Sequence, residues 1–149
     1  MPSASITKKI SCSKKNLIEM VLDIEKYPEF VPWCLGAKIH TKIDKGNTLE
    51  ITADLTIGKS FFSEKYKSFV IYDKSNDTIN VTNIEGSLKH LENKWSFRQT
   101  SDSSEVDFHV DFELKNKILN ILMTKTFDLA LKKIAVAFEK RAIQLFNET

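Results

Sequence analysis

The chain has 149 residues, of which 42% are hydrophobic, and a formal net charge of +2 at pH 7. This composition argues against a disordered chain, and the length corresponds to a single domain that spans residues 1–149. The small net charge does not by itself predict nucleic-acid binding, and we expect no DNA partner. The two cysteines are too few for a disulfide framework, and the sequence contains neither a secretory signal nor a run of about 18 apolar residues that would span a bilayer.

The N-terminal part of the sequence predicts a strand followed by a helix. Residues 3–10 are interpreted as the first strand, and Ser13 as the N-cap of the helix. The helix is indicated by apolar residues at helical spacing, namely Leu17, Ile18, Val21 and Leu22. Pro28 is expected to end or offset this helix, because a proline disfavours helical conformation in the residue before it.

The segment Tyr27–Cys34 combines two prolines with large apolar side chains, namely Phe30, Val31 and Trp33 around Pro28 and Pro32. Because proline lacks an N–H and fixes φ, neither a regular helix nor a central strand can continue through this segment. We expect a stiff turn, for which two roles remain open. Its apolar groups either fill the core beneath a loop, or form a gate or a membrane-docking tip. Cys34 is interpreted as a small packing residue rather than a reactive thiol.

After Gly36 the hydrophobic pattern changes to a period of two, which is typical of half-buried strands. The clearest alternation covers residues 49–57, and further strands are predicted over residues 61–72, 79–84, 91–97 and 106–114. Residues 117–147 predict one long amphipathic helix, whose apolar stripe includes Leu119, Leu122, Met123, Phe127, Ala130, Ile134, Phe138 and Ile143. A run of strands followed by a helix indicates an α+β fold, and a curved sheet against a long helix leaves a hydrophobic hollow between them.

The strand predicted over residues 61–72 places polar groups on its inward face. Lys65 and Lys67 assign one face to solvent, so the opposite face carries Phe62, Glu64, Tyr66 and Ser68. Buried polar groups need hydrogen-bond partners, and inside a cavity these groups would bind water or the polar head of a ligand. The alternative is a different registry, in which Glu64 faces solvent.

The sequence contains few of the patterns that indicate catalysis or metal binding. Its histidines, His40, His90 and His109, are isolated, and it has no HExxH motif, no GxSxG motif and no glycine-rich phosphate loop. Glu64 and Tyr66 could act as acid and base in a cyclase, but an anchor for a ligand head group needs the same residues with less precise geometry. We therefore expect a binding protein rather than an enzyme, without catalytic residues, metal or cofactor.

Five stretches resemble the coenzyme Q-binding START-domain family, and together they cover nearly the whole chain. Residues 27–34 resemble its YxxFVPWC signature, and residues 64–66 resemble its ERY-like segment. Residues 86–97 are similar to its GxxxxLxxxWxF stretch, while residues 106–114 and 135–142 resemble its last strand and the end of its helix. The resemblance implies the helix-grip fold, a curved antiparallel sheet wrapped around a long C-terminal helix with an internal hydrophobic cavity.

The resemblance also implies a function, which is binding of ubiquinone or a related polyprenyl lipid in support of respiratory electron transport and quinone biosynthesis. A bacterial branch is known instead as the ribosome-association toxin, so binding of the 50S subunit and a block of 70S formation is the alternative. The absence of a transit peptide predicts a bacterial cytoplasmic protein, peripheral on the inner face of the cytoplasmic membrane. The residues expected to bind the ligand are Phe30, Val31, Pro32, Trp33, Phe62, Glu64, Tyr66, Leu91, Trp95 and Phe127.

Overall fold

The computed structural model describes residues 3–59 and 62–146, with the backbone alone for Lys59 and Phe62. In chain order, its elements are β1 (Ser3–Ile10), α1 (Lys14–Leu22), a 3-10 helix (Ile24–Glu29), β2 (Cys34–Asp44), β3 (Thr48–Lys59), β4 (Phe62–Asp73), β5 (Thr78–Gly86), β6 (Leu88–Gln99), β7 (Ser104–Leu114) and α2 (Lys117–Phe146). The strands predicted after Gly36 are present as β3 to β7, whereas β2 has no counterpart among the predicted elements. Residue 61, the first of the strand predicted over 61–72, lies outside the described residues.

The described strands form one antiparallel sheet in the order β1-β7-β6-β5-β4-β3-β2. Its ladders are interrupted by register shifts, two between β2 and β3, one between β4 and β5 and one between β6 and β7. Such bulges bend a strand and increase its twist, so the sheet curves, and α2 packs against it. This arrangement confirms the expected α+β helix-grip fold.

Local sequence signals set the course of the chain from α1 to the 3-10 helix. The Ser13 hydroxyl accepts a hydrogen bond from the backbone N–H of Asn16 at 3.2 Å, which confirms the predicted N-cap. The apolar face of α1 is buried, with Leu17 only 2% exposed. Pro28 lies inside the 3-10 helix, whose poorer hydrogen-bond pattern tolerates a missing N–H, and α1 already ends at Leu22.

The core consists of two hydrophobic clusters. The larger cluster joins α1, the central strands and the C-terminal half of α2, and it includes Leu17, Ile51, Trp95, Phe108 and Phe138. The smaller cluster joins the ends of β6 and β7 to the N-terminal half of α2, and it consists of Leu88, Leu91, Phe112, Leu114 and Phe127. Helix α2 therefore contacts the rest of the fold near both of its ends.

The apolar stripe of α2 differs from the prediction at two positions. Phe127, Ala130 and Phe138 are buried, as expected, but Leu122 and Ile143 are 49% and 42% exposed. At 100° per residue, both side chains point away from the face that carries Phe127. The sequence pattern misled because α2 carries large apolar residues on its outer face as well as on its inner one.

Candidate functional site

A cavity of about 230 Å³ lies between the sheet and α2. Its wall comes from the 3-10 helix, the segment before β2, strands β3 to β7 and the inner face of α2. Members of both hydrophobic clusters line it, including Trp95 and Phe138 from the larger and Leu91 and Phe127 from the smaller. The cavity therefore occupies the hollow expected between a curved sheet and a long helix.

The structure brings most of the predicted ligand-binding residues together in this wall. The residues that line it are Val31, Pro32, Trp33, Tyr66, Leu91, Trp95 and Phe127. Phe30 and Glu64 do not line it, and the side chain of Phe62 lies outside the described residues. Whether these residues bind a ligand remains a prediction.

Phe30 packs on the outer side of the cavity wall. Its ring meets the ring of Tyr27 edge-on, with the centroids 6.0 Å apart, and the ring of Phe138 at 5.1 Å. The guanidinium of Arg141 lies 5.0 Å from the centroid of the same ring and also donates a hydrogen bond to Glu29 at 2.8 Å. Phe30 therefore helps to attach the C-terminal half of α2 to the 3-10 helix.

The segment between the 3-10 helix and β2 is held by backbone hydrogen bonds at both sides. Cys34 donates to the carbonyl of Val31 at 3.2 Å, and Gly58 of β3 donates to the carbonyl of Trp33 at 2.9 Å. Trp33 has a φ of +64°, a left-handed conformation that costs about 1–3 kcal/mol for a residue with a side chain. This turn directs Val31, Pro32 and Trp33 towards the cavity, which favours a wall or gate over an exposed tip.

The cavity wall is apolar with a few neutral polar groups. Burial raises the pKa of the Tyr27, Tyr66 and Cys34 side chains above their ordinary values, so all three are protonated at pH 7. No Asp, Glu, Lys, Arg or His side chain of the described residues lines the cavity. The arrangement suits an uncharged ligand that is largely apolar.

The polar groups of the cavity wall differ in whether they already have a hydrogen-bond partner. The Tyr27 hydroxyl donates to the carbonyl of Val21, and the Ser68 hydroxyl donates to the carbonyl of Ala53 at 3.2 Å. By contrast, the Tyr66 hydroxyl and Oδ1 of Asn93 have no hydrogen-bond partner among the described residues. An unpaired polar group in an apolar wall is costly, so these two groups are suited to bind the polar part of a ligand or water.

Asn93 was not among the predicted site residues, although the sequence contained a signal for it. It alternates with Leu91, Trp95 and Phe97, which share the inward face of β6. A polar residue at an inward position between buried apolar neighbours indicates either a partner in the core or an open space. In the structure Asn93 lines the cavity, which is the open space.

The histidines lie away from the cavity. His40 Nε2 is 2.7 Å from Asp54 Oδ2 on an exposed part of the sheet, and His109 Nδ1 is 2.6 Å from the Ser5 hydroxyl. In the part of the chain that the structure describes, three or more His, Cys, Asp or Glu side chains are nowhere grouped as metal ligands would be. His40, His90 and His109 do not line the cavity.

Comparisons with known proteins place the chain among lipid-transport and cyclase-like proteins. The family of polyketide cyclases/dehydrases and lipid transport proteins matches residues 16–139. The ribosome association toxin RatA of Rickettsia prowazekii is 35% identical over 150 residues, which cover 99% of this chain and all of the toxin. The mitochondrial coenzyme Q-binding protein COQ10 of Dictyostelium discoideum is 29% identical over 147 residues, which cover 97% of this chain and 70% of that protein.

Solved structures agree with this placement. The solution structure of an 18 kDa protein from Caulobacter crescentus has a TM-score of 0.80 at 32% identity, covering 99% of this chain and all of the other. The crystal structure of a Streptomyces aromatase/cyclase has a TM-score of 0.73 at 12% identity, over 95% of this chain and 91% of the enzyme. At so low an identity the second similarity shows the fold alone.

Proposed function

Because the chain belongs to the family of polyketide cyclases/dehydrases and lipid transport proteins, we propose that its cavity binds ubiquinone or a related polyprenyl lipid. The protein would act as a carrier or chaperone for this lipid, in support of respiratory electron transport and quinone biosynthesis. The observation that supports this most is the uncharged apolar cavity with two unpaired polar groups, the Tyr66 hydroxyl and Oδ1 of Asn93. The carbonyl oxygens of a quinone ring can accept hydrogen bonds from the Tyr66 hydroxyl and from the Asn93 Nδ2 amide. Oδ1 of Asn93 would accept from water or from a hydroxyl of the reduced ring, and an isoprenoid tail suits the rest of the wall.

The energetics of such binding follow from the apolar wall. Each buried CH₂ group contributes about 0.8 kcal/mol, so a five-carbon isoprene unit contributes about 4 kcal/mol. Three fully buried units contribute about 12 kcal/mol, which exceeds the low end of the association cost, about 4 kcal/mol, by about 8 kcal/mol and there corresponds to micromolar affinity. The cavity of about 230 Å³ is smaller than the ~300–1,000 Å³ of typical ligand sites, so it would hold the head and the first part of the tail.

We propose that the ligand leaves the protein chemically unchanged. The wall has no ionisable group that is charged at pH 7 among the described residues, and Glu64, the candidate acid, does not line the cavity. General acid–base catalysis needs a titratable group near the reacting atom, with a pKa near the working pH. The raised pKa of Tyr66 suits a neutral hydrogen-bond donor instead.

The test is extraction of lipid from the purified protein, followed by mass spectrometry, with a variant that fills the cavity. Val81→Phe replaces a small side chain of the cavity wall by a phenyl ring that fills part of the cavity, so we expect the quinone to be lost while the fold remains. Ile84→Phe is the matched control, since Ile84 lies on the same strand and is 51% exposed. Absence of quinone from the wild type, together with no uptake from quinone-loaded vesicles, would overturn the proposal. A chemically altered lipid released by the wild type would overturn the non-enzymatic part.

The second candidate function is binding of the large ribosomal subunit. The similarity to RatA over its whole length favours it, as do the lysines of α2, which suit phosphate contacts. Co-sedimentation with 50S particles at low and moderate salt separates the two functions. A lipid carrier stays at the top of the gradient at both salt concentrations, whereas the ribosomal function requires salt-sensitive migration with the particles.

For its location, we propose the cytoplasm, with peripheral contact to the inner face of the cytoplasmic membrane. In the described part of the chain, α2 included, no helix is both long and apolar enough to cross a membrane. A carrier that takes lipid from a bilayer needs a surface that meets it. Fractionation of cells into membrane and supernatant at low and high salt tests this location, since a peripheral protein is released by salt.

A further inference from the structure

The outer face of α2 carries a row of exposed aliphatic side chains. This outer stripe consists of Ile118, Leu122, Leu129, Val136 and Ile143, whose exposed fractions are 73%, 49%, 58%, 37% and 42%. At 100° per residue all five point in nearly the same direction, opposite the buried Phe127. Large apolar residues scattered singly on a surface are normal, but a row of them along one face of a helix marks a contact surface.

Lysines lie between the members of the outer stripe. Lys125, Lys132, Lys133 and Lys140 point to the same side of α2, and none of them forms an ion pair within residues 3–59 and 62–146. Of the acidic residues of α2, Asp128 is on a flank, and Glu139 borders the stripe but is paired with Lys8 of β1 at 3.2 Å. The stripe is therefore apolar and positively charged, without an unpaired negative side chain beside it among the described residues.

The outer stripe adjoins the cavity wall. A groove of about 540 Å³ beside it is lined by Phe30, Pro32, Lys132, Lys133, Val136 and Lys140, among others. Pro32 lines both this groove and the cavity, so the two are separated by little more than this residue. A surface that bound to the outer stripe would thus lie next to the segment that closes the cavity.

We propose that the outer stripe of α2 lies flat on an anionic lipid surface, with its aliphatic side chains at the acyl boundary and its lysines at the phosphates. A helix face with an apolar row flanked by unpaired lysines has the chemistry of an interfacial amphipathic helix. Lysines near the surface add an attraction to anionic lipid that salt weakens. The purpose of this docking rests on the proposed lipid-carrier function, but the two can fail separately.

Two other occupants fit the outer stripe less well. Leu122, Leu129, Val136 and Ile143 repeat every seven residues, which a second copy of α2 could match. A stable coiled coil needs a second apolar position in each heptad, but the positions three and four residues after Leu122, Leu129 and Val136 carry only polar or charged residues. RNA would satisfy the lysines, but it offers nothing to five exposed aliphatic side chains, since bases stack on aromatic and guanidinium groups.

The test is flotation with vesicles of phosphatidylcholine alone and of phosphatidylcholine with one quarter phosphatidylglycerol. We expect the wild type to bind the anionic vesicles at least tenfold better, and high salt to weaken this binding. Leu129→Glu should reduce the binding at least tenfold. Leu35→Glu is the matched control, because Leu35 is similarly exposed, at 54%, but lies on β2. Circular dichroism and the melting temperature confirm that both variants are folded.

Three outcomes would overturn the proposal: equal binding to neutral and anionic vesicles, unchanged vesicle binding in Leu129→Glu, or vesicle binding equally reduced by Leu35→Glu. The other occupants have their own signatures, in which Leu129→Glu leaves vesicle binding unchanged. If this variant abolishes a dimer seen in sedimentation equilibrium, the stripe binds a second copy of the chain. If it abolishes co-sedimentation with 50S particles, the stripe binds the ribosome. The lipid content of Leu129→Glu separates this proposal from the previous one. Quinone retained in a variant that no longer binds vesicles supports both proposals, and vesicle binding by a wild type that contains no quinone supports docking alone.

Discussion

Phe138 is the side chain on which the closure of α2 over the core depends most, so we expect Phe138→Ala to be strongly destabilising. Phe138 is 5% exposed, and its ring meets three other rings, those of Tyr27 at 5.6 Å, Phe30 at 5.1 Å and Trp95 at 5.1 Å. These partners lie on the 3-10 helix, on the segment that follows it and on β6. Removal of one ring therefore loosens α2 from two different parts of the fold.

The expected loss of unfolding free energy is about 3–5 kcal/mol, the usual range for a buried Phe→Ala change. Edge-to-face aromatic pairs account for about 0.5–1.5 kcal/mol each within that range. Phe138 lines the existing cavity of about 230 Å³, so its truncation enlarges that cavity, and the neighbouring side chains cannot move in to fill the space. For a chain of this length the loss corresponds to a decrease in melting temperature of about 6–20 °C.

The assay is urea unfolding followed by far-UV circular dichroism, with the free energy taken from the midpoint and the slope. Leu129→Ala is the control on the same helix, and since Leu129 is 58% exposed we expect a change within about 0.5 kcal/mol. A loss below about 1 kcal/mol in Phe138→Ala would refute the reasoning, because it would mean that α2 is not held to the sheet through this aromatic group.

Three further predictions concern single positions. A Cβ at Gly86, where φ is +117°, would lie 2.6 Å from the Lys65 carbonyl oxygen, so Gly86→Ala should lower the unfolding free energy by about 1–3 kcal/mol in the same urea assay. Burial raises the pKa of the Cys34 thiol, so iodoacetamide should label it slowly in the native protein and quickly in urea, as measured by peptide mass spectrometry. The Thr7 hydroxyl donates to Asp107 at 2.6 Å and lowers the pKa of that carboxyl. The stabilisation by ionised Asp107 is therefore present above the unfolded pKa of about 3.9 and is lost as the pH falls through the folded value. In a plot of the urea midpoint against pH, Asp107→Asn should therefore make the decrease at acid pH less steep.

The strands that sequence could predict are those whose alternation is regular. β3 and β7 alternate apolar and polar residues over most of their length, residues 49–57 and 106–114, so their period is visible without the structure. β2 was missed because its register with β3 shifts twice and most of its second half is exposed, which removes the alternation. For α2 the length was predictable, but the inner face was not wholly so, because apolar residues on two faces cannot be separated by hydrophobicity alone.

The candidate site was predictable to the extent that strand faces were. Lys65 and Lys67 correctly assigned one face of β4 to solvent, and Tyr66 lines the cavity as expected. Glu64 is two residues from Tyr66 and therefore lies on the same face of β4, yet it does not line the cavity. The alternation of a strand fixes the face of each side chain, but not how far along the strand the cavity extends. Phe30 does not line the cavity because three neighbouring groups hold its ring outside, and contacts between distant segments leave no local sequence signal.

The pairing of β1 with β7 determines when the sheet can be completed during synthesis. Ser3 pairs with Asp111 and Ile10 with Ser104, so β1 leaves the ribosome well before β7, the strand that pairs with it. At ~5–20 residues per second, the roughly 100 residues in between take about 5–20 s to be made. During that time β1 is an unpaired strand, and non-local pairing of this kind is slow to form even afterwards. Completion of the sheet must therefore follow synthesis of β7, and closure of the cavity must follow synthesis of α2.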